Sequence, residues 1–205
     1  MLLLGSGTAG RMKSPMSFAG DIFPLKTVFL LAGLFFLLCG NIAAEELSGT
    51  EYRVKAGFIY HFIRFTQWPA DSFAGEDSPI VFCVAAAEPA AAILRSLENK
   101  MIRKRRIKVK IHTEAEELPV CHVLFVSAAY EEKQPDILSL AADRAVLSIG
   151  ESEIFSRRGG IIRFFTENEH LRFAVNLKAA RQARLRMSSQ LLMSAHLLRG
   201  DNRIP

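Results

Sequence analysis

Cys121 and His122 stand side by side, and a thiol next to an imidazole is the raw material of a cysteine nucleophile with its base. The pair opens CHVLFVS, residues 121–127, an unbroken apolar run that reads as a central strand, where successive side chains point to opposite faces. Adjacent residues in such a strand are poorly placed to pass a proton. A second cysteine, Cys83, lies in PIVFCVA, residues 79–85. Two cysteines in an exported chain read as a disulfide, with two buried free thiols or a reactive Cys121 as the alternatives. Closing that loop is worth about 4 kcal/mol on the chain-entropy model.

The other reactive side chains converge on nothing. His61, His112, His122, His170 and His196 share no ligand spacing, and the sequence carries no G-x-S-x-G, H-E-x-x-H or Walker motif. GSGTAG, Gly5–Gly10, spells a dinucleotide fingerprint, but no strand pattern leads into it and no helical pattern opens on it. Glu116-Glu117 and Glu131-Glu132 read as solvated faces. No catalytic residue, cofactor site or metal-ligand set follows from these residues.

Binding chemistry is better represented. KMIRKRRIKVK, residues 100–110, holds seven basic side chains in eleven positions. They could meet anionic lipid head groups, at about 1 kcal/mol per residue at a membrane surface, or an acidic patch on a partner; the plainer reading is a solvated loop and strand face. FSRRGGIIR, residues 155–163, sets Phe155, Arg157, Arg158, Ile161 and Arg163 around Gly159-Gly160. The arginines suit a partner's acids and the glycines permit an unusual turn, although a tight turn into a hairpin explains them equally well. Arg64 and Trp68 close the stretch YRVKAGFIYHFIRFTQWP, residues 52–69, and these residue types are enriched in interface cores. That stretch is otherwise a structural helix.

The elements that must position these groups begin after an export signal. Lys26 precedes the apolar run of residues 27–39, and small Ala43 and Ala44 stand before Glu45-Glu46. The run is shorter than the roughly 20 residues of a spanning helix, so it reads as a signal peptide with cleavage near Ala44; an uncleaved anchor is the alternative. Residues 1–44 are then extension and signal, Cys39 included, and residues 45–205 are one mature domain. The mature chain holds 23 basic and 20 acidic residues. That mild balance argues against nucleic acid as a partner.

In the mature part, Phe58, Ile59, Phe62, Ile63 and Phe65 recur at helical spacing, predicting an amphipathic helix of about four turns ended by Pro69. Residues 79–85, 106–113, 121–127 and 145–150 read as strands, and residues 88–100 and 130–144 as helices. IIRFF and HLRFAV flank polar TENE, a hairpin pattern. Residues 176–200 read as one or two helices, with Ser188 or Ser189 as N-cap and Gly200 as stop. The alternation predicts an α/β single domain: a central mixed sheet flanked by helices, with a β-hairpin and C-terminal helices.

Taken in order, VKAGFIYHFIRFTQWP, PIVFCVA, CHVLFVS and the run from LSIGESEIFSRRGG to LLMSAHLL resemble the YfiR family of periplasmic regulators over essentially the whole mature chain. Its pattern is matched by Lys55-Ala56, Trp68-Pro69, Cys83, Cys121-His122 and the run from Phe155 to Gly160. The resemblance implies a non-enzymatic periplasmic protein, commonly a homodimer, without cofactor. It implies binding to the periplasmic sensor part of an inner-membrane diguanylate cyclase of the YfiN type. That enzyme is held inactive until an outer-membrane lipoprotein of the YfiB type sequesters the repressor, which lowers cyclic-di-GMP and biofilm formation meanwhile. With one mature cysteine pair, a second family bridge is impossible here, and the basic segment 100–110 is a departure from the family. The competing reading is a periplasmic small-ligand binder feeding a sensor kinase, which calls for an enclosed apolar pocket with convergent polar groups.

Overall fold

A computed structural model describes residues 49–111, 120–134, 136–141 and 144–198, all within one compact unit, Ala43–Pro205. The stretch expected to be a signal peptide, the Gly5–Gly10 motif, His112, Glu116-Glu117 and Gly200 lie outside the described residues.

Helix α1 (residues 49–65) forms where the periodicity placed it. Ala56, Ile59, Phe62 and Ile63 are buried, Phe58 and Phe65 are half-buried, and Arg53, His61 and Arg64 face solvent. The helix does not run on to Pro69. It stops at Phe65, where the Thr66 hydroxyl donates back to the Phe62 carbonyl at 2.8 Å and β1 (Thr66–Gln67) pairs antiparallel with β9 (Arg186–Met187).

The main sheet uses β2 (Ile80–Ala85), β3 (Met101–Ile102), β4 (Arg105–Ile111), β5 (Val123–Val126), β6 (Leu147–Gly150), β7 (Ile162–Glu167), β8 (His170–Val175) and β10 (His196–Leu197). Its eight strands run in the order β10-β8-β7-β6-β5-β2-β4-β3. From β4 to β7 neighbours are parallel; β7–β8 and β3–β4 are antiparallel hairpins, and β10 returns parallel to β8. Strands β5 and β6 are buried along their whole length, as central parallel strands covered on both faces must be. One face, through Phe82, Phe125, Ile149 and Phe164, packs on α1. The other, through Cys83, Leu124 and Val126, packs on Ile137, Leu138 and Phe155. The architecture is thus a mixed sheet between helical layers, as the α/β pattern predicted.

The β7–β8 turn is Asn168-Glu169, both at positive φ (49° and 62°), the signature of a tight type I′ turn that matches strand twist. Other elements are shorter than their patterns suggested. Residues 88–100 give α2 (Ala90–Leu94) and a 3-10 turn at Arg95–Leu97. Residues 130–144 divide into α3 (Ala128–Lys133) and α4 (Ile137–Ala141), as a proline at position 135 requires. The C-terminal stretch holds two helices, α6 (Leu177–Gln182) and α7 (Ser189–Met193), as expected, but the short strands β9 and β10 alternate with them. Asn176 caps α6 and Ser188 caps α7, each accepting a backbone N–H with its side chain.

Candidate interaction surfaces

Helix α5 (Glu153–Arg157) carries the Phe155–Arg163 candidate. The Ser152 hydroxyl accepts the Phe155 N–H at 2.9 Å and starts the helix. Gly159, at φ +93°, ends it: the Gly159 N–H reaches the Ser156 carbonyl at 3.1 Å and the Gly160 N–H the Phe155 carbonyl at 2.9 Å. That is the double bond of a Schellman motif, which favours glycine at the left-handed position. The second glycine has a different cause. A Cβ on Gly160 would lie 2.0 Å from the Phe155 ring, and one on Gly150 2.4 Å from the same ring. Phe155 is therefore gripped between two glycine α-carbons at the end of β6.

This packing sorts the candidate residues. Phe155, 1% exposed, and Ile161 belong to the interior and can only shape a contact from beneath. Arg163 is 9% exposed, its Nε has no hydrogen-bond partner, and its guanidinium lies 5.4 Å from the Phe165 ring centroid. Burial lowers its pKa, opposed by the charge of Glu153. Arg157 and Arg158 face outward, Arg157 paired with Glu153 at 2.8 Å, beside exposed Ile154.

A buried ionic clamp underlies this helix. Lys55 on α1 is only 4% exposed, and its Nζ lies 2.5 Å from Glu51 and 2.6 Å from Glu151, just past β6. The other Glu151 oxygen accepts the Ala128 N–H at 3.0 Å, at the start of α3, and the Tyr52 hydroxyl at 3.4 Å. Burial first, then the Glu151 charge, pushes the Tyr52 phenol above its usual range. The reading of Glu131 as solvated fails: it is 7% exposed and accepts the Ser152 hydroxyl, because α3 lays that side chain against the start of α5. The sequence signal for the clamp was Lys55 itself, a lysine among aliphatic and aromatic residues, but its partner lies 96 residues away.

At the other end of α1 the Trp-Pro and Cys-His motifs meet. Trp68 donates its indole N–H to the His122 carbonyl at 3.2 Å. Nδ1 of His122 accepts the Val81 N–H at 3.1 Å, while Nε2 donates to the Ser72 carbonyl at 2.8 Å, which requires the neutral ring. Burial lowers the His122 pKa, the Ser72 hydrogen bond opposes this, and the Arg105 charge adds to it. The ring stacks on Phe73 at 4.5 Å, and the Arg105 guanidinium lies 3.8 Å from the Phe73 centroid while donating to the Gly75 and Ser78 carbonyls. Cys121 is bonded to Cys83, with Cα atoms 5.9 Å apart. With its sulfur in a disulfide and both imidazole nitrogens held by backbone, the pair is no nucleophile and base.

An open cleft of about 770 Å³ runs along Trp68, Pro69 and Phe73 to the basic turn Arg103–Arg105. Arg64 stands exposed on α1, and Trp68 is half-buried at the cleft wall. The structure therefore keeps Arg64 and Trp68 near one end of α1, while Arg157 and Arg158 project from α5. Among the described residues no group of His, Cys, Asp and Glu could hold a metal ion, and no helix is long and apolar enough to cross a membrane.

Residues 52–196 match the family model described as YfiR/HmsC-like, and the chain belongs to that family. It is a family of periplasmic, non-catalytic regulators connected with cyclic-di-GMP signalling. Among solved structures the chain is similar to a conserved domain protein from Vibrio cholerae O1 biovar El Tor, at 11% identity and a TM-score of 0.39. That alignment covers 57% of this chain and about half, 53%, of the other, too little to carry an argument. The search of curated proteins returned no match.

Proposed function

We propose that the protein is a periplasmic repressor of an inner-membrane diguanylate cyclase. It binds the periplasmic sensor part of that YfiN-type enzyme and biases it toward its inactive state, so that cyclic-di-GMP and biofilm formation fall; a YfiB-type outer-membrane lipoprotein relieves the repression. The family match over residues 52–196 carries this reading. The outward arginines of α5 and the Arg64–Trp68 end of α1 are the proposed contact surfaces, with Phe155, Ile161 and Arg163 supporting the first from beneath, and the working unit is a homodimer. A repressor acts here only through differential affinity for two states of the enzyme.

The test is cellular cyclic-di-GMP with the gene deleted and then restored. A rise on deletion that the wild-type gene reverses supports repression, and no change on deletion rejects it. One observation favours the second reading, a small-ligand binder feeding a sensor kinase: the cleft beside Trp68 falls within the roughly 300–1,000 Å³ of ligand sites. Its open form is less suited to that role than an enclosed pocket.

A further inference from the structure

The basic segment 100–110 is not accounted for by the contacts above. Of its seven cations, Arg105 is used internally, against Phe73 and two carbonyls. Lys100, Arg103, Lys104, Arg106 and Lys108 are exposed and form no ion pair with any described residue. Their hydrogen bonds and ring contacts are few: Arg106 donates to Asn99 at 3.4 Å, and the Lys100 ammonium lies 5.9 Å from the Tyr60 ring. Of the nearby acids, Glu98 is engaged by the Val109 N–H, and Glu76 lines the same cleft as Arg103 and Lys104 without forming an ion pair with them.

Their arrangement is set by the fold. Strand β4 turns Ile107 inward, so period two places Arg106 and Lys108 together on the opposite face. Met101, 49% exposed, is the register partner of Arg106 and shares that face. Arg103 and Lys104 form the two-residue tip of the β3–β4 hairpin, with Arg103 at φ +56°. The hairpin closes one end of the main sheet, so tip and strand face lie along a single border of the molecule. Charge on an edge strand keeps other sheets from adding to it, but one or two lysines achieve that, and five exposed cations with no ion pair among the described residues repel one another.

We propose that this border docks on anionic phospholipid head groups of the inner-membrane surface. The cations are long, exposed and held by no fixed acid partner among the described residues, which suits a diffuse field of phosphates better than a bidentate protein pocket. The apolar Met101 beside them fits the head-group boundary. This shares with the proposed function only the placement of the chain at the inner membrane, and its test needs no cyclase.

The protein, in the form the cell produces, is floated with phosphatidylethanolamine vesicles containing phosphatidylglycerol, and with vesicles in which phosphatidylcholine replaces it. Binding to the first alone, weakening as salt rises, is expected. At about fivefold per side chain, Arg103→Glu/Lys104→Glu/Lys108→Glu lowers vesicle affinity at least a hundredfold. The control Arg53→Glu/Lys178→Glu/Arg181→Glu makes the same change of net charge on α1 and α6 and leaves most of the affinity. Thermal melts check that both variants are folded. Equal binding to both vesicle types, no binding at low salt, or equal losses in the two variants overturns the proposal. So does an edge that ignores vesicles but is needed to bind an acidic protein domain. Unchanged cyclic-di-GMP on gene deletion, with vesicle binding intact, rejects the repressor reading alone.

Discussion

Gly160→Ala tests the grip on Phe155. The added methyl would sit 2.0 Å from the ring, and the ring is 1% exposed with Gly150 at its other edge, so it cannot swing aside. Overpacking of this kind costs about 1–3 kcal/mol. Gly160 does not occupy the left-handed region, so alanine suits its backbone and the cost belongs to the ring. Phe155→Leu alone loses about 1–2 kcal/mol through the gap it leaves. Because the smaller side chain vacates the space the methyl needs, the double variant falls short of the sum by at least about 1 kcal/mol. Gly159→Ala is the internal control. No atom lies within 4 Å of a Cβ there, and its φ of +93° makes the cost purely conformational, so with Phe155→Leu it adds. Urea denaturation of the three single and two double variants with wild type measures this; 2 kcal/mol corresponds to roughly 4–8 °C in Tm for a domain of this size. Additive effects at Gly160, or coupled effects at Gly159, would refute the assignment of the two glycines.

Four further outcomes follow from the geometry. Cys83→Ala/Cys121→Ala, which opens a link spanning 38 residues, lowers stability by about 4 kcal/mol, read as a shift in denaturation midpoint that reducing agent reproduces in the wild type. Lys55→Met strands the Glu151 carboxylate and costs about 3 kcal/mol, and Lys55→Met/Glu151→Gln recovers part of the loss; a single variant as stable as wild type rejects the clamp. The His122 pKa is depressed in the fold, so the unfolded chain takes up the proton first: stability is full above pH 6.5 and declines as pH falls below it. His122→Asn flattens that slope between pH 7.5 and 5.5, as measured by denaturation midpoints at each pH, and an unchanged slope removes His122 as its source. Arg157→Glu/Arg158→Glu leaves the fold stable to within about 1 kcal/mol, as surface changes do, yet fails to restore low cyclic-di-GMP in the deletion strain.

What the sequence made legible was the part decided by burial on a single element. The Phe and Ile stripe of α1, the unbroken apolar strands β5 and β6, and the β7–β8 hairpin all declare themselves because a buried face imposes its period. The pairing of Cys83 with Cys121 followed from parity and compartment. The C-terminal alternation was hidden because β9 and β10 are two-residue strands that exist through their partners β1 and β8. Phe155 beside two arginines looked like a surface anchor, because nothing local shows that glycines 5 residues before and after it press on its ring. Lys55 with Glu151, and Trp68 with His122, are joined over 96 and 54 residues, distances at which spacing carries no signal.

The disulfide also changes what a cut in the backbone can do. Cys83 lies on β2 and Cys121 just before its neighbour β5, so α2, β3 and β4, with the whole basic border, form a covalently closed lobe. A protease that severs the chain once between residues 84 and 120 releases no fragment, since both new ends remain tied through sulfur. The nick is silent on a non-reducing gel and separates the chain into two pieces only after reduction. A molecule cleaved there keeps its halves covalently tied in an oxidising compartment, and is held by strand pairing and packing alone when its surroundings turn reducing.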